Sequence, residues 1–277
     1  WIERNKDIFD AVDININSFN KGIVENLIAG FDKVKGEYLK MIAGDDLLPK
    51  ASILPFFDLL KDNDFVMGLP LYFSKNGFTE ENIKSSKLRK IRELSNKEGG
   101  FLERLERDCF IHGSSIYLRA HLVHDRRLID FMREFEFLED YPMYYGIAIN
   151  NPNIRYKFCD RIGILYRRTA HSAIYVRKES IFRDRVKLAK IMSKRREISF
   201  YNKLIKYNEI LVFMTGSLWA TKYLMIDNYV KRLKKITTIY RDEYDGEYKN
   251  WVMENVKYLN DIEILVNKWI KNDDKQR

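Results

Sequence analysis

Cysteine is scarce in this sequence, since 277 residues contain only Cys109 and Cys159. Two distant cysteines cannot build a disulfide framework or a zinc cluster. Three of the four histidines, His112, His121 and His124, have no metal-ligand spacing with a carboxylate, so we interpret them as surface or satisfied side chains. This composition excludes a disulfide-stabilised secreted domain and favours a reducing, cytoplasmic compartment.

Long apolar runs are also missing. The chain opens with a charged stretch, residues 1–7, which does not resemble a secretory signal. Its longest weakly charged run, Ile210–Ile226, contains Lys222 and the sequence Thr215-Gly216-Ser217, and it is short for a membrane span. We expect this run to be a buried helix. Because no methionine opens the chain, we also expect a fragment of a longer polypeptide.

The chain has 45% hydrophobic residues and a formal net charge of +9. The apolar fraction is enough for a substantial core and argues against disorder. The positive charge predicts anionic partners, among them a nucleotide diphosphate, a nucleic acid or an acidic membrane surface.

The central stretch of the sequence is Gly36–Pro49. Tyr38–Ala43 is mostly apolar and predicts a buried strand, Gly44 allows a sharp turn, and Asp45 and Asp46 follow. Ligands of open α/β sheets bind at the carboxyl ends of strands. Two adjacent carboxylates there would suit Mn²⁺ or Mg²⁺ and a bound diphosphate. The alternative is a solvated turn in which Asp46 caps the following helix.

The surrounding pattern predicts alternating strands and helices. Val12–Asn17 alternates apolar and polar residues like a strand, and a helix from Asn20 to Lys35 follows. With Tyr38–Ala43 these segments form a βαβ unit, which favours a parallel sheet. We further predict a helix over Pro49–Leu60, a strand over Asp64–Phe73, a loop with a helical piece over Lys75–Gly100, a helix over Phe101–Asp108, a helix over Leu122–Glu134, and short strands over Ile154–Phe158 and Ile162–Tyr166.

Three later motifs have ordinary structural interpretations when each is taken alone. Ile111–Arg119 can be a turn entering a strand, and Glu139-Asp140 can cap a helix. The segment Tyr166–Ser172 can be a basic surface loop. An acid at a helix amino end is held ionised by the dipole, and a buried acidic neighbour can restore its basicity.

Taken in order, these motifs resemble family 2 glycosyltransferases of the GT-A fold. The resemblance covers about Asn20 to Ser172 and rests on Gly36-Glu37-Tyr38, Asp45-Asp46 with Pro49, Gly113-Ser114-Ser115, Glu139-Asp140 and Tyr166-Arg167-x-x-x-His171. The first acid of the family's DxD triplet is Ala43 here. The strand, helix and "vDDgS" segment with which the family binds the nucleotide base have no match in residues 1–19, so we expect the amino-terminal nucleotide-binding βα units to be absent.

The resemblance implies a role for each motif. Asp45, Asp46 and His171 would hold Mn²⁺ or Mg²⁺, and Arg167 and Arg168 would bind the donor diphosphate. Gly113, Ser114 and Ser115 would contact the acceptor. Asp140, with Glu139 as second choice, would deprotonate the acceptor hydroxyl.

We therefore expect an α/β fold with a GT-A-like, mostly parallel sheet flanked by helices, over residues 1–180. A basic, aromatic-rich helical region would occupy residues 181–277. The resemblance implies transfer of a sugar from a nucleotide-diphosphate donor, UDP-linked by expectation, to a glycan or lipid-linked acceptor of the cell envelope or capsule, with inversion. Nucleic acid is not an expected partner of such an enzyme.

Residues 183–206 contain nine lysines and arginines against Asp184 and Glu197, a net charge of +7. This segment could place the protein at the inner face of the cell membrane, or it could be a solvated surface. A rival hypothesis is a non-catalytic basic module that binds nucleic acid or anionic membrane. That module would bind in a strongly salt-dependent way and would need no metal.

Overall fold

The computed structural model describes residues 7, 9–51, 53–74, 77–78, 100–107, 111–168, 178–215 and 249–264. Its strands are β1 (Tyr38–Lys40), β2 (Phe65–Ser74), β3 (Gly77–Phe78), β4 (Ile116–Arg119) and β5 (Tyr156–Arg167). Its helices are α1 (Ile23–Phe31), α2 (Leu54–Leu60), α3 (Phe101–Arg107), α4 (Arg126–Met132), α5 (Asp140–Asn150), α6 (Lys178–Lys194), α7 (Phe200–Thr215) and α8 (249–264). Short 3₁₀ turns cover Gly113–Ser115 and Ala120–His124.

The strands form one mixed sheet in the order β1-β4-β2-β5, and β3 pairs with the end of β2. Strand β4 is antiparallel to both of its neighbours, whereas β2 and β5 are parallel over almost their whole length. Strands β1, β2 and β5 therefore point the same way. After β1 the chain reaches the far side of β5, where Leu47 pairs with Leu165.

The predicted α/β architecture is confirmed, but the sheet is mixed rather than mostly parallel. Among the described strands only β2 and β5 pair in parallel, and β4 lies between β1 and β2 in the opposite direction. The sequence could not show this, because an apolar run reveals that a strand is buried but not which way it points. Strand β2 is buried at every residue except its last, and it would look the same in either orientation.

Three element predictions also need correction. Val12–Asn17 pairs with no described strand. Its residues alternate between apolar and polar, but a strand also needs a neighbouring strand to which its backbone can hydrogen-bond. The two short strands predicted over Ile154–Phe158 and Ile162–Tyr166 form one strand, β5, which begins at Tyr156. Its pairing with β2 changes register after Phe158, between the two predicted segments. Strand β1 has only three residues, each half-buried.

Several helices are shorter than predicted. Helix α1 ends at Phe31, short of Lys35, and α2 begins at Leu54 rather than Pro49. The predicted helix over Leu122–Glu134 is divided into a 3₁₀ turn and α4. The helices predicted at Phe101 and at Glu139-Asp140 are confirmed as α3 and α5.

The core lies on both faces of the sheet. Helix α5 is buried from Tyr141 to Ala148 and joins the largest apolar cluster, together with α1, α3, α4 and α6. On the other face, Phe56 of α2 stacks on Tyr117 of β4 at 4.3 Å between ring centroids. Gly68 makes this close packing possible, since a Cβ at that position would lie 2.7 Å from the Phe56 ring.

Two carboxyl-terminal helices are held against the rest of the described fold. The Asp184 carboxylate of α6 accepts backbone N–H bonds from Glu136, Phe137 and Leu138. Trp251 and Tyr258 of α8 pack on the apolar cluster formed by the second half of β2 and β5.

Within the described residues, no helix is both long and apolar enough to cross a bilayer. The division at residue 180 stays a prediction.

Candidate active site

Four predicted motifs meet at one end of the sheet. The Asp45–Asp46 turn follows β1, Arg167 ends β5, and the Gly113–Ser115 turn precedes the antiparallel strand β4. Helix α5 begins at the same end with Glu139 and Asp140. Because β4 runs against its neighbours β1 and β2, its amino end lies beside the carboxyl end of β1, and the Ser115 carbonyl before it lies close to Gly163 of β5. The antiparallel strand therefore brings the motifs together.

The acidic turn is held by Arg167. The Arg167 backbone N–H donates to Asp46 Oδ1 at 3.0 Å, and its side-chain Nε donates to the Asp45 carbonyl at 2.8 Å. The Asp46 side chain is turned inward and the residue is only 6% exposed, whereas Asp45 is exposed. Burial raises the pKa of the Asp46 carboxyl, and the Arg167 N–H and the Ser114 side chain oppose this shift. Asp46 Oδ2 is buried with no hydrogen-bond partner among the described residues.

Lys40 belongs to this site, although the sequence interpretation missed it. Its ammonium group donates to the carbonyls of Met41 and Ser114 and lies 4.8 Å from the centroid of the Tyr117 ring. Burial lowers the pKa of Lys40 to about 7, and the charge of Asp46 acts in the opposite direction. Lys40 thus connects the acidic turn to the turn before β4. The signal in the sequence was a lysine within the apolar stretch Tyr38–Ala43.

The Gly113–Ser115 turn presents its three residues differently. A Cβ on Gly113 would lie 3.0 Å from Asp140 Oδ2, so the missing side chain leaves room for that carboxylate. The Gly113 carbonyl accepts from the Tyr144 hydroxyl at 3.1 Å. Ser115 is fully buried and its hydroxyl donates to the His112 carbonyl at 3.0 Å. In this geometry Ser115 shapes the turn, whereas Gly113 and Ser114 line the site.

The Glu139-Asp140 pair opens α5. Asp140 Oδ1 accepts the Tyr141 backbone N–H at 2.7 Å. Burial, with a contribution from the neighbouring Asp140 charge, raises the pKa of Glu139 to about 8. Glu139 is therefore mostly protonated at neutral pH, and Asp140 is the member of the pair suited to accept a proton.

Tyr166 is close to both acidic pairs. Burial raises the pKa of its hydroxyl, and the charges of Asp46, Asp45 and Asp140 raise it further. All three carboxylates are thus close enough to act on a single phenol. The Tyr166 ring packs edge-on against His112, with 4.5 Å between centroids. Tyr166 was part of a recognised motif, but its proximity to both pairs was not predicted.

The two arginines after β5 differ in their contacts. The Arg167 guanidinium lies 5.0 Å from the Phe73 ring centroid, and that of Arg168 lies 4.3 Å from the Tyr72 ring centroid. Arg168 also donates its backbone N–H to the Phe73 carbonyl at 2.7 Å. His171, the third predicted metal ligand, lies outside the described residues.

The acidic turn has features that suit a hard divalent cation. Asp46 Oδ2 is a buried carboxylate oxygen that no described residue hydrogen-bonds, and the preceding residue, Asp45, is exposed. Described residues contain no group of three or more potential metal-ligating side chains. A site of this kind fits the way Mg²⁺ often binds, through one or two carboxylates together with substrate phosphates.

A separate cavity of about 600 Å³ lies between α1, the segment before α5, and α6. Its lining mixes cationic and acidic side chains, for example Arg133 with Glu25, and these two form a salt bridge of 3.0 Å. None of the predicted site residues lines this cavity.

No protein-family model and no curated protein matches the chain. Among solved structures, S. aureus TarS 1-349 aligns over 94% of this chain and 77% of its own, with 14% identity and a TM-score of 0.49. A second S. aureus TarS structure aligns over 92% and 46%, with 13% identity and a TM-score of 0.47. TarS 1-349 in complex with UDP aligns over 94% and 77%, with 11% identity and a TM-score of 0.43. Likeness at this level assigns the chain to no family.

Proposed function

We propose that this protein is a glycosyltransferase that moves a sugar from a nucleotide-diphosphate donor to a hydroxyl group of an acceptor. The observation that carries the proposal is the meeting of two acidic pairs, Asp45–Asp46 and Glu139–Asp140, with Arg167 at one end of the sheet. Sugar transfer needs both parts of this arrangement. The leaving diphosphate must be neutralised and the acceptor hydroxyl must lose a proton.

The Asp45–Asp46 turn is the proposed donor side. Asp45 and Asp46 would hold Mn²⁺ or Mg²⁺, which when bound would neutralise charge on the diphosphate. His171 stays a candidate third ligand. Arg167 is held in place through its Nε, and its terminal nitrogens, like those of Arg168, suit phosphate oxygens. Because the described side chains do not complete a metal site alone, the nucleotide and the metal should each strengthen binding of the other.

The turn at Gly113 and the start of α5 form the proposed acceptor side. An acceptor hydroxyl placed over Gly113 and Ser114 would approach Asp140, and Asp140 would take its proton. The hydroxyl oxygen then bonds to the anomeric carbon while the bond from that carbon to the diphosphate oxygen breaks. The electron pair of the broken bond stays on the diphosphate. Attack on the face opposite the leaving group would invert the anomeric centre.

The finer points of the proposal follow the family resemblance. They are membership of family 2, a UDP-linked donor, and an envelope or capsular glycan or lipid-linked acceptor. Protonated Glu139 beside Asp140 supports the assignment of Asp140, rather than Glu139, as the base.

Calorimetric titration of UDP into the 277-residue chain, with and without Mn²⁺, tests the donor side. We expect binding that requires the metal and is weakened about tenfold or more in Asp45→Asn. Asp130→Asn is a matched control, since this carboxylate is exposed on α4, and its affinity for UDP should equal that of the wild type. Metal-independent binding, or equal affinity in Asp45→Asn, would contradict the donor site. Salt-sensitive binding to nucleic acid in place of UDP would favour the basic binding module.

A further inference from the structure

Helix α7 is inverted relative to an ordinary surface helix. Its side facing the protein is polar: Asn202 is 0% and Lys206 is 1% exposed. A surface helix of a globular protein normally buries its apolar stripe and exposes its charges. Buried lysines and asparagines are uncommon, so the orientation of α7 needs an explanation.

Specific polar contacts fix that orientation. Asn202 Nδ2 donates to the Glu103 carbonyl at 3.2 Å, and Lys206 Nζ lies 2.7 Å from Glu209 Oε2 and 3.3 Å from the Tyr141 hydroxyl. Rotating the helix to bury its apolar side would break these contacts, and each polar group left buried would then need a new hydrogen-bond partner. The outward side of α7 is therefore fixed by its inward side.

The outward side carries a line of large apolar residues that we name the apolar stripe. Its members are spaced by four and three residues and so share one helix face. They are 39–77% exposed, and they are Phe200, Leu204, Tyr207, Leu211 and Met214. The stripe covers fourteen residue steps, or about 21 Å along the helix axis. Contiguous exposed apolar surface of this kind marks a site that contacts a membrane or another protein.

Cationic side chains lie at the amino end of the stripe. Lys194 and Arg196, both exposed, lie within the six residues before α7, and Lys203 of α7 flanks the stripe, about 40° around the helix from Tyr207 and about 60° from Phe200. None of these three forms a salt bridge with a described residue. The nearby pairs of Arg195 with Glu197 and of Lys206 with Glu209 show that the acids of this segment are already engaged.

We infer that the apolar stripe of α7 lies in the surface of an anionic lipid bilayer, with Lys194, Arg196 and Lys203 against the lipid headgroups. An interfacial helix combines an apolar face with flanking cations in this way. A second copy of the chain would bring the same uncompensated cations to the contact, so charge complementarity favours the anionic surface. The inference does not depend on the donor site, and UDP binding can succeed or fail independently of it.

Sedimentation with vesicles of phosphatidylcholine, alone or with about 30% phosphatidylglycerol, tests this inference on the full chain. We expect binding only to the anionic vesicles. Leu204→Gln with Tyr207→Gln should weaken it about tenfold or more, because apolar area is removed without a change of charge. Lys194→Gln with Arg196→Gln should weaken it by a similar factor at low salt.

Matched controls use residues away from α7. Ile14→Gln with Ile16→Gln removes two exposed apolar side chains, and Lys21→Gln with Lys33→Gln removes two exposed cations. Both control variants should bind anionic vesicles as the wild type does. Circular dichroism and thermal unfolding of every variant report whether the fold is retained.

Three outcomes would overturn the inference. The first is a wild-type chain that does not sediment with anionic vesicles. The second is unchanged binding of the Leu204→Gln, Tyr207→Gln variant, which would make the attraction one of charge alone. The third is a change in this variant from dimer to monomer, or a large loss of thermal stability, since the stripe would then contact a second copy or another part of the chain.

Discussion

The two acidic pairs have similar sequences but different surroundings. In the Asp45–Asp46 turn the second carboxylate is buried, with the Arg167 backbone N–H and the Lys40 ammonium group nearby. In the Glu139–Asp140 pair the first carboxyl is the one that is desolvated, and its pKa rises to about 8. No salt bridge reaches Glu139 in the described part of the chain.

The difference shows that two adjacent acids do not specify one chemistry. Where N–H groups and a cation are present, the carboxylate can stay charged and suits the binding of a cation with a diphosphate. At Glu139 fewer such groups oppose the effect of burial, so this carboxyl takes up a proton and leaves Asp140 to act as a base. Neighbours distant in the sequence therefore decide the proposed division between donor binding and proton transfer.

The largest effect is expected from Asp140→Asn. The amide can still accept the Tyr141 N–H, but it cannot take the proton of an acceptor hydroxyl, so turnover should fall by about 10²–10⁴-fold. Release of UDP from a panel of UDP-sugars measures turnover. The matched control is Asp125→Asn, which changes the cap of α4 away from the site. Full activity of Asp140→Asn would remove Asp140 from the reaction.

Glu139→Gln should change the pH dependence of stability. The carboxyl of Glu139 has a pKa of about 8 in the fold against an ordinary value of 4.5, so folded chains hold more protons between these values. The stability that Glu139 contributes is therefore complete below about pH 4.5 and is lost as the pH rises through 8. The glutamine variant lacks this loss, so its stability relative to the wild type should rise by about 1.4 kcal/mol per pH unit between pH 4.5 and pH 8.

Urea unfolding of both proteins at several pH values measures this difference. Glu136→Gln is the control, since Glu136 is exposed three residues earlier in the chain, and it should keep the wild-type pH dependence. Parallel pH curves for the wild type and Glu139→Gln would show that burial does not hold Glu139 protonated.

Lys40→Met should have the smallest effect. The change leaves the carbonyls of Met41 and Ser114 without their ammonium donor and removes a positive charge near Asp46. We expect UDP affinity to fall about tenfold because the acidic turn and the Ser114 turn are no longer connected. Calorimetry measures the affinity, and Lys33→Met on an exposed site is the control. Unchanged affinity would limit Lys40 to a structural role.

The parts of the fold that the sequence predicted were those with a strong local signal. Strand β2 is a continuous apolar run, and α5 begins at an acidic pair suited to a helix amino end. Val12–Asn17 has an equally clear alternating pattern, yet it pairs with no described strand. A local pattern predicts what a segment can become, and a neighbour decides whether it does so.

The candidate site shows the same limit. The order of the motifs indicated which segments to examine, but the contact of Lys40 with Ser114 joins residues 74 positions apart. Nothing in the turn sequence distinguishes exposed Asp45 from buried Asp46, or Ser114 from the fully buried Ser115. These distinctions depend on how β4 inserts between β1 and β2, and the sequence carried no sign of that direction.

The most direct test of the proposed division measures UDP affinity and UDP release from UDP-sugars together, in Asp45→Asn and in Asp140→Asn. The account predicts that Asp45→Asn loses metal-dependent UDP affinity, whereas Asp140→Asn keeps that affinity and loses turnover. If both substitutions reduced the affinity equally, or if neither changed it, the two acidic pairs would not divide donor binding from proton transfer, and the account would be contradicted.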